Sequence, residues 1–275
     1  LLQMLSNHTS DPIESQLREE ALYKPYQSLN AYLKKKYGEK IYKIALDGGF
    51  TCPNRDGTCG TRGCIFCSAG GSGEFATVIR QNSSIDAQIT QALARFGGKQ
   101  TGQRFIAYFQ AYTGTYAAPE RLYALYHMAL SHPKIIGISI ATRPDCLPAP
   151  VLDVIKQCQM EFPDKFVWIE LGLQSVHEKT ALYIRRGYPL SCFEEALETL
   201  QTMSVPVIVH VILGLPGETQ ADMLATIDYL SHKNIFGIKL QLLHVLRGTD
   251  LAAEYERGVF SCLSKEAYID LLCSC

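Results

Sequence analysis

Residues 41–71 read "IYKIALDGGFTCPNRDGTCGTRGCIFCSAGG" and place an apolar segment directly before a glycine-rich loop. The apolar segment predicts a β-strand over residues 40–47. The loop holds four of the chain's ten cysteines: Cys52, Cys59, Cys64 and Cys67. A strand followed at once by clustered thiols indicates a site at the end of that strand.

Beyond the loop, strand-like and helix-like segments alternate along the chain. Helices are predicted over residues 28–40, ending near Gly38, and then over 83–96, 118–130, 149–160, 175–184, 191–203 and 218–233. Further strands are predicted over 104–112, 134–142, 165–174, 205–214 and 235–246. These strands are continuous apolar runs, which is typical of strands buried on both faces of a parallel sheet.

Units of strand and helix in this order form either a doubly wound sheet or a barrel. Each predicted strand is followed by polar or glycine-rich residues, among them "QAYTGTY", "ATRPD", "GLQS" and "GLPGE". In a barrel of this kind the functional residues lie at the carboxyl ends of the strands. We therefore expect one site at one mouth, with residues 1–40 forming a helical extension and residues 41–275 the core domain.

Composition narrows the function classes. The chain has 275 residues, is 47% hydrophobic and carries a formal net charge of −1, so no global basic signature for nucleic acid exists. Neither a membrane span nor a signal peptide is indicated, which predicts a cytoplasmic protein. There, cysteines outside the loop, such as Cys158, Cys192 and Cys262, are expected to pack in helices as small apolar residues. The final "DLLCSC" predicts that the natural protein continues beyond it.

Three kinds of site could use the clustered thiols. Eleven residues separate Cys52 from Cys64, and two separate Cys64 from Cys67. A structural zinc site would need four ligands, and the long first spacer is a poor match to short zinc knuckles. A redox pair at Cys64 and Cys67 would not require Cys52. An iron–sulfur cluster takes thiolate ligands, and three of them leave one iron open to another ligand.

Several motifs carry the interpretation further. The chain resembles the radical S-adenosylmethionine (SAM) superfamily, and within it the YhcC/YtqA-like group related to the catalytic subunit of Elongator. The residues that carry the resemblance run from about residue 40 to the end: "DGGFTCPNRDG", "GCIFC", "QAYTGTYA", "ATRPDCL", "IELGLQS", "RRGY", "VILGLPGET" and "LQLLHVLRGTDLA". The resemblance implies an α/β fold that is a partial (β/α)6 TIM-like barrel of the radical SAM type.

The resemblance also implies the cofactors. It assigns Cys52, Cys64 and Cys67 as ligands of a [4Fe–4S] cluster and leaves Cys59 without a ligand role. It implies that the cluster reduces SAM to a 5′-deoxyadenosyl radical, which abstracts a hydrogen atom from the substrate. An electron donor such as flavodoxin or ferredoxin is then an expected partner. No catalytic side chain is identified.

Motif positions matched to the family imply contacts with SAM. Tyr112, Thr113 and Gly114 in "QAYTGTY" are expected near the methionine amino group. Gln174 in "GLQS" matches a ribose or carboxylate contact. Arg186 matches an arginine that pairs with the SAM carboxylate, a role that suits a permanently charged, forked guanidinium.

The fifth strand and its neighbour supply further expected contacts. Backbone groups around Leu213 and Gly214 match the adenine-binding strand of the family. His210 matches a ribose contact, although a lone histidine in an apolar strand is often a core residue. Glu170 is either a cofactor ligand or a structural carboxylate bonded to a neighbouring arginine.

The resemblance implies the substrate less directly. Members of the Elongator group act on the wobble uridine of tRNA, so we expect tRNA as a partner and conversion of a carboxymethylaminomethyl uridine to the aminomethyl form. Candidate phosphate contacts are Lys34, Lys35, Lys36 and Arg185. Two alternatives remain: a radical SAM enzyme acting on a small metabolite or a protein, and a metal-bearing binding module without enzymatic activity.

Overall fold

The computed structural model describes residues 26–71, 84–95 and 102–275. Strands alternate with helices. The strands are β1 (Tyr42–Leu46), β2 (Phe105–Phe109), β3 (Ile135–Thr142), β4 (Phe166–Gln174), β5 (Val207–Leu213) and β6 (Gly237–Leu242). The helices are α1 (Leu29–Tyr37), α2 (Ile85–Arg95), α3 (Pro119–Ser131), α4 (Ala149–Glu161), α5 (Glu178–Tyr183), α6 (Leu190–Thr202), α7 (Gln220–Ser231), α8 (Asp250–Glu256) and α9 (Lys265–Ser274). A 3-10 turn, Pro144–Cys146, follows β3.

The six strands form one parallel sheet in the order β1 to β6. Lys239 Nζ on β6 lies 5.6 Å from the ring centroid of Tyr108 on β2. Four strand spacings in a flat sheet would separate these strands by roughly 19 Å, at about 4.8 Å per spacing. The sheet is therefore strongly curled, and the predicted partial barrel is confirmed in place of the doubly wound sheet.

Side chains on the outer face of the sheet pack beneath the helices and form the main apolar core. Leu46, Phe109, Ile140, Leu171 and Val209 all belong to this core and are fully buried. The residues next to them along each strand point into the barrel, because successive side chains on a strand face opposite sides. This explains why the strands are continuous apolar runs where both faces are covered.

Helix α1 closes the amino-terminal end of the barrel, which we call the floor. Ser28 caps the helix by accepting a hydrogen bond from the Ala31 amide at 3.1 Å, and Gly38 ends it with a φ of 74°. Leu33 and Trp168 both belong to a buried apolar cluster at the start of the strands. The floor cluster also contains Ile41, Ile106, Ile136 and Ile208.

Strand boundaries and the carboxyl-terminal segment differ from prediction. Strands β2 and β6 end three and four residues earlier than predicted, where their chains turn into rim loops. Helices α8 and α9 were not predicted, although Thr249 and Ser264 cap them with side-chain hydrogen bonds of 3.1 Å. Such capping residues are the signal that could have located them.

Cysteine placement matches prediction only in part. All ten thiols are free. Cys158 is buried in the outer core, as expected, and Cys192 on α6 is half-buried. The prediction for Cys262 is wrong: it is exposed and lies in the loop before α9, where no helix packs over it.

No helix in the described ranges is long and apolar enough to cross a membrane. The boundary predicted between an extension and a core domain at residue 40 stays a prediction, and residues 1–25 lie outside the described residues.

Candidate functional site

The loop after β1 folds around Asn54 through its own backbone hydrogen bonds. The Cys59 amide donates to the Pro53 carbonyl at 2.8 Å, and the Gly63 amide donates to the Asn54 carbonyl at 2.7 Å. In "CIFC", the Cys67 amide donates to the Cys64 carbonyl at 3.0 Å. The loop is thus a series of tight turns that presents its thiols from fixed backbone.

Three thiols of this loop lie within electrostatic range of one another. Burial, together with charge on Cys67 and on Cys52, raises the pKa of the Cys64 thiol to about 11. These three cysteines are half-buried, whereas Cys59 is exposed. The structure brings together the three predicted ligands and leaves the fourth cysteine toward solvent.

Polar donors surround these sulfurs. Asn54 Nδ2 lies 3.5 Å from Cys64 Sγ and also donates to the Arg185 carbonyl at 2.7 Å. Arg143 Nη1 lies 3.9 Å from Cys52 Sγ. Donors and cations beside sulfur stabilise thiolates, the form that binds metal.

The donor chemistry of these thiols fits an iron–sulfur cluster. Within the described ranges, no three His, Cys, Asp or Glu side chains gather tightly enough to hold one metal ion. A cluster binds each thiolate through a different iron, so its ligands need not meet at one point. The donor set of three thiolates with nearby N–H groups therefore suits a [4Fe–4S] cluster.

The loop after β2 joins the cysteine loop. Tyr112 has a φ of 58°, donates its amide to the Gly71 carbonyl at 2.8 Å and donates its hydroxyl to the Ala69 carbonyl at 2.6 Å. A Cβ at Gly71 would lie 2.4 Å from the Tyr112 ring, so this contact requires glycine. Thr113 is buried and donates its amide to the Thr51 carbonyl at 3.3 Å.

Gly114 continues this loop toward β3. Its amide donates to the Ala141 carbonyl at 2.7 Å, and its carbonyl accepts from the Tyr126 hydroxyl at 2.5 Å. The three predicted residues 112–114 therefore lie beside the cysteine loop on the rim of the mouth. Their contact with SAM stays a prediction.

Gln174 ends β4 with two unusual features. Its φ is 68°, a left-handed conformation that costs a non-glycine residue about 1–3 kcal/mol. Its side-chain oxygen Oε1 is buried, and within the described part of the chain it has no hydrogen-bond partner. Buried polar atoms are normally paired, so this oxygen suits a donor on a bound ligand such as an amine or a hydroxyl.

Arg186 holds the backbone on both sides of Gln174. The guanidinium is buried and donates to the Leu173 carbonyl at 3.1 Å and to the Ser175 carbonyl at 2.7 Å. It also donates to the Tyr188 carbonyl at 3.0 Å and contacts Glu178 at 3.3 Å. These bonds position the Gln174 turn, and pairing of Arg186 with the SAM carboxylate stays a prediction.

Leu213 and Gly214 lie where β5 ends. The Leu213 side chain is buried in the outer core, and its carbonyl accepts from the Leu243 amide at 3.0 Å. Gly214 has a φ of 89°, and its amide lies 3.0 Å from Met223 Sδ. These backbone groups already have protein partners, and their pairing with adenine stays a prediction.

Glu170 and His210 lie deeper, inside the barrel. His210 Nε2 lies 2.6 Å from Glu170 Oε2, and Ser139 donates to Glu170 Oε1 at 2.5 Å. Burial acts to raise the pKa of Glu170, but the hydrogen bond from His210 and the charge of Lys43 together lower it. Burial lowers the pKa of His210, although the hydrogen bond to Glu170 acts to raise it. The two predicted ligands form a pair with each other, and their contact with cofactor stays a prediction.

Arg143 and Asp145 are site residues that sequence reasoning missed. Arg143 Nη2 and Nε donate to the two carboxylate oxygens of Asp145 at 2.6 and 2.8 Å, and Nη1 donates to the Arg186 carbonyl at 3.1 Å. This forked pair fixes the guanidinium beside Cys52. The signal was the "TRPD" motif, which sets an arginine and an aspartate two residues apart on a rigid turn.

Sequence comparisons place the chain among known proteins. The profile of the Radical SAM superfamily matches residues 57–230, and that of the Radical SAM C-terminal domain matches residues 235–275. YtqA of Bacillus subtilis is 42% identical over 250 residues, which cover 91% of this chain and 76% of YtqA. YhcC of Escherichia coli is 39% identical over 236 residues, 86% of this chain and 74% of YhcC. Elongator complex protein 3 of Danio rerio is 29% identical over 147 residues, 52% of this chain and 25% of that protein.

Solved structures support the fold. The archaeal Elp3 of Methanocaldococcus infernus matches with a TM-score of 0.60 at 14% identity over 84% of this chain. Coproporphyrinogen III oxidase (HemN) from Escherichia coli matches with a TM-score of 0.56 at 16% identity over 90% of this chain. The chain spans 52% and 55% of these two structures, respectively, about half of each. At such identities the likeness shows the fold alone.

Proposed function

The chain belongs to the radical SAM superfamily, and from this premise we propose that it remodels the side chain of a modified wobble uridine in tRNA. As a member of the family it is an enzyme with a [4Fe–4S] cluster and SAM as cofactors. The proposed reaction would convert a carboxymethylaminomethyl group to an aminomethyl group by breaking the bond between the amine nitrogen and the carboxymethyl carbon. That carbon would lose a hydrogen atom and one electron, which SAM and the cluster together would accept, and water would then release the two-carbon fragment as glyoxylate. When bound, cluster and SAM supply hydrogen-atom abstraction, which suits a C–H bond beside an amine because it offers no acidic proton to a general base.

One observation carries the choice of substrate. Elongator complex protein 3 of Danio rerio is 29% identical to this chain over 147 residues. The long spacer between Cys52 and Cys64 also resembles the spacing in that group. The chain's resemblance to the group implies that its substrate is a wobble uridine. The net charge of −1 lends no support, so the proposal depends on this relationship.

The chain's own residues have distinct tasks in the proposed reaction. Cys52, Cys64 and Cys67 would hold the cluster. Gln174 would orient SAM through its unpaired oxygen, while Arg186 keeps the Gln174 turn in place. The apolar floor closes the far end of the barrel, which keeps water away from a reactive carbon in the lumen.

Contacts with RNA are proposed on the mouth side of the barrel. Arg62 in the cysteine loop has a side chain that is 71% exposed, and it shares the carboxylate of Asp250 with Arg185. Lys34, Lys35 and Lys36 belong to α1, which closes the floor, so they would contact tRNA only if it extends to that end. A wobble base in a single-stranded loop can leave its stack and enter the mouth. Binding through phosphates should weaken as salt rises.

An electron donor such as flavodoxin or ferredoxin is proposed as a second partner, because cluster reduction needs an external electron. The ten free thiols accord with a reducing compartment such as the cytoplasm, which we propose as the location.

Transfer RNA from a strain lacking the gene tests the substrate. Reconstituted enzyme, SAM and a reductant are incubated with this tRNA, and its nucleosides are profiled by mass spectrometry. We expect one wobble nucleoside to lose a carboxymethyl group and 5′-deoxyadenosine to form faster when tRNA is present. Cys59→Ala serves as the matched active control and Cys52→Ala as the inactive one. If no wobble nucleoside changes mass and 5′-deoxyadenosine forms no faster with tRNA present, the substrate is a small metabolite or a protein instead.

A further inference from the structure

A layer of polar side chains crosses the interior of the barrel at mid-height. Each of the six strands contributes one residue to it: Lys43, Tyr108, Ser139, Glu170, His210 and Lys239. Below this layer lies the apolar floor, and above it lies the rim with the cysteine loop. The layer is therefore the polar surface that faces the lumen beneath the mouth.

Glu170 is the centre of this layer, and its charge is matched by Lys43. Its side chain has no exposed surface. Lys43 Nζ and Ser139 Oγ both donate to Glu170 Oε1, and His210 Nε2 contacts Oε2. A buried carboxylate requires such partners, and one lysine with two further donors satisfies it.

Lys239 differs from the other members of the layer. Its Nζ lies 3.8 Å from Glu170 Oε2, beyond hydrogen-bond distance, and 5.6 Å from the ring centroid of Tyr108. In the described part of the chain its ammonium makes no hydrogen bond. The layer holds two lysines and one carboxylate, so its ammonium groups outnumber its carboxylate by one.

Exposure within the layer shows where the lumen is accessible. The residues on the central strands, Ser139 and Glu170, are fully buried, whereas the Lys239 side chain is 41% exposed on the edge strand β6. The next inward residue on that strand, Gln241, is also half-buried. Within the described ranges a molecule that enters the lumen alongside β6 meets the Lys239 ammonium.

We propose that Lys239 anchors a carboxylate of the substrate inside the barrel. The inference rests on the proposed function, in which the substrate side chain ends in a carboxylate attached through an amine. A single carboxylate balances the one ammonium in excess and supplies the acceptors that this ammonium lacks. Phosphates of RNA are fixed along the backbone outside the lumen, so they are less suited to this position. The carboxylate of SAM is the other source of the same chemistry, and the experiment separates the two.

Binding of two free nucleosides tests the anchor without requiring turnover. The cluster-loaded protein, saturated with SAM, is titrated with 5-carboxymethylaminomethyluridine and with 5-aminomethyluridine, and affinities are read by saturation-transfer NMR. Wild type should bind the carboxylate-bearing nucleoside about tenfold to a hundredfold more tightly, the range of a charge-assisted hydrogen bond. Lys239→Met should abolish the preference.

Lys233→Met is the matched control, because Lys233 pairs with Glu194 on the outer surface at 3.1 Å. It should keep the preference. Thermal unfolding of both variants checks that they fold. Equal binding of the two nucleosides by wild type, or binding of neither, overturns the anchor. A loss of SAM affinity in Lys239→Met as large as the loss of nucleoside affinity also overturns it, since Lys239 would then serve the cofactor.

The tRNA assay fails or succeeds independently of this test. If tRNA is not modified while the carboxylate preference depends on Lys239, the substrate is a different carboxylate-bearing molecule and only the proposed function falls. If tRNA is modified and Lys239→Met leaves the preference intact, the function stands and the anchor falls.

Discussion

The floor and the mouth of the same barrel follow opposite physical rules. At the floor, Leu33 and Trp168 pack within an apolar cluster, and α1 has both ends capped. At the mouth, Tyr112 and Gln174 have left-handed backbone, and a buried oxygen of Gln174 has no partner in the described ranges. Strain and unpaired polar atoms persist only where surrounding structure or a ligand compensates for them. The packing of the floor thus stabilises the barrel, and this stability offsets the strain of the residues at the mouth, where the candidate site lies.

Removing a cluster ligand should have the largest effect and be confined to the mouth. Alanine at Cys52, Cys64 or Cys67 should abolish the reducible cluster, because each is proposed to hold a separate iron. Anaerobically reconstituted wild type should bind about four irons and four sulfides per chain, measured by metal and sulfide analysis with electron paramagnetic resonance. Cys59→Ala should retain the cluster. If Cys59→Ala lost the cluster and Cys52→Ala kept it, the assignment of Cys52 as a ligand and Cys59 as a non-ligand would be wrong.

A large cavity at the floor should reduce stability and leave the site intact. Trp168→Ala should lower the free energy of unfolding by about 3–5 kcal/mol, the usual cost of removing a buried large aromatic. Urea denaturation measures this change. The control is Met160→Ala, because Met160 is 71% exposed and its loss should change stability by less than about 0.5 kcal/mol. If Trp168→Ala folds well but loses the cluster, floor and mouth are not separable in this way.

Arg186→Ala should weaken SAM binding by about tenfold to a hundredfold, the range of a charge-assisted hydrogen bond, while the cluster spectrum stays intact. Calorimetric titration with SAM measures the effect. Arg186→Lys separates two origins. If the guanidinium pairs with the SAM carboxylate, lysine should restore part of the affinity. If it acts by clamping the Leu173 and Ser175 carbonyls, lysine should be as weak as alanine. If both variants bind SAM as tightly as wild type, Arg186 neither pairs with the SAM carboxylate nor supports SAM binding through the clamp.

The sequence predicted features that depend on local patterns. Continuous apolar runs located the strands, and motifs matched to the family placed Tyr112 and Gln174 at strand ends, where the structure has them. It did not predict contacts that depend on the curl of the sheet. Lys239 on β6 approaches Glu170 on β4 only because the strands bend around a lumen. The proximity of Arg143 to Cys52 likewise joins loops after β3 and β1, and no periodicity in either segment specifies it.

The smallest effect separates the two unusual features of Gln174. Alanine and glycine both remove the unpaired oxygen Oε1, so either variant should weaken SAM binding by about tenfold, the contribution of one hydrogen bond of about 1–1.5 kcal/mol. Only glycine adopts the φ of 68° without strain. The free energy of unfolding of Gln174→Gly should therefore be about 1 kcal/mol higher than that of Gln174→Ala, because the relieved strain is partly offset by the entropy that glycine loses on folding. Urea denaturation and calorimetry with SAM measure the two quantities on the same samples. Equal stability of the variants would mean that the turn carries no strain, and unchanged SAM affinity in both would mean that the oxygen does not face the cofactor.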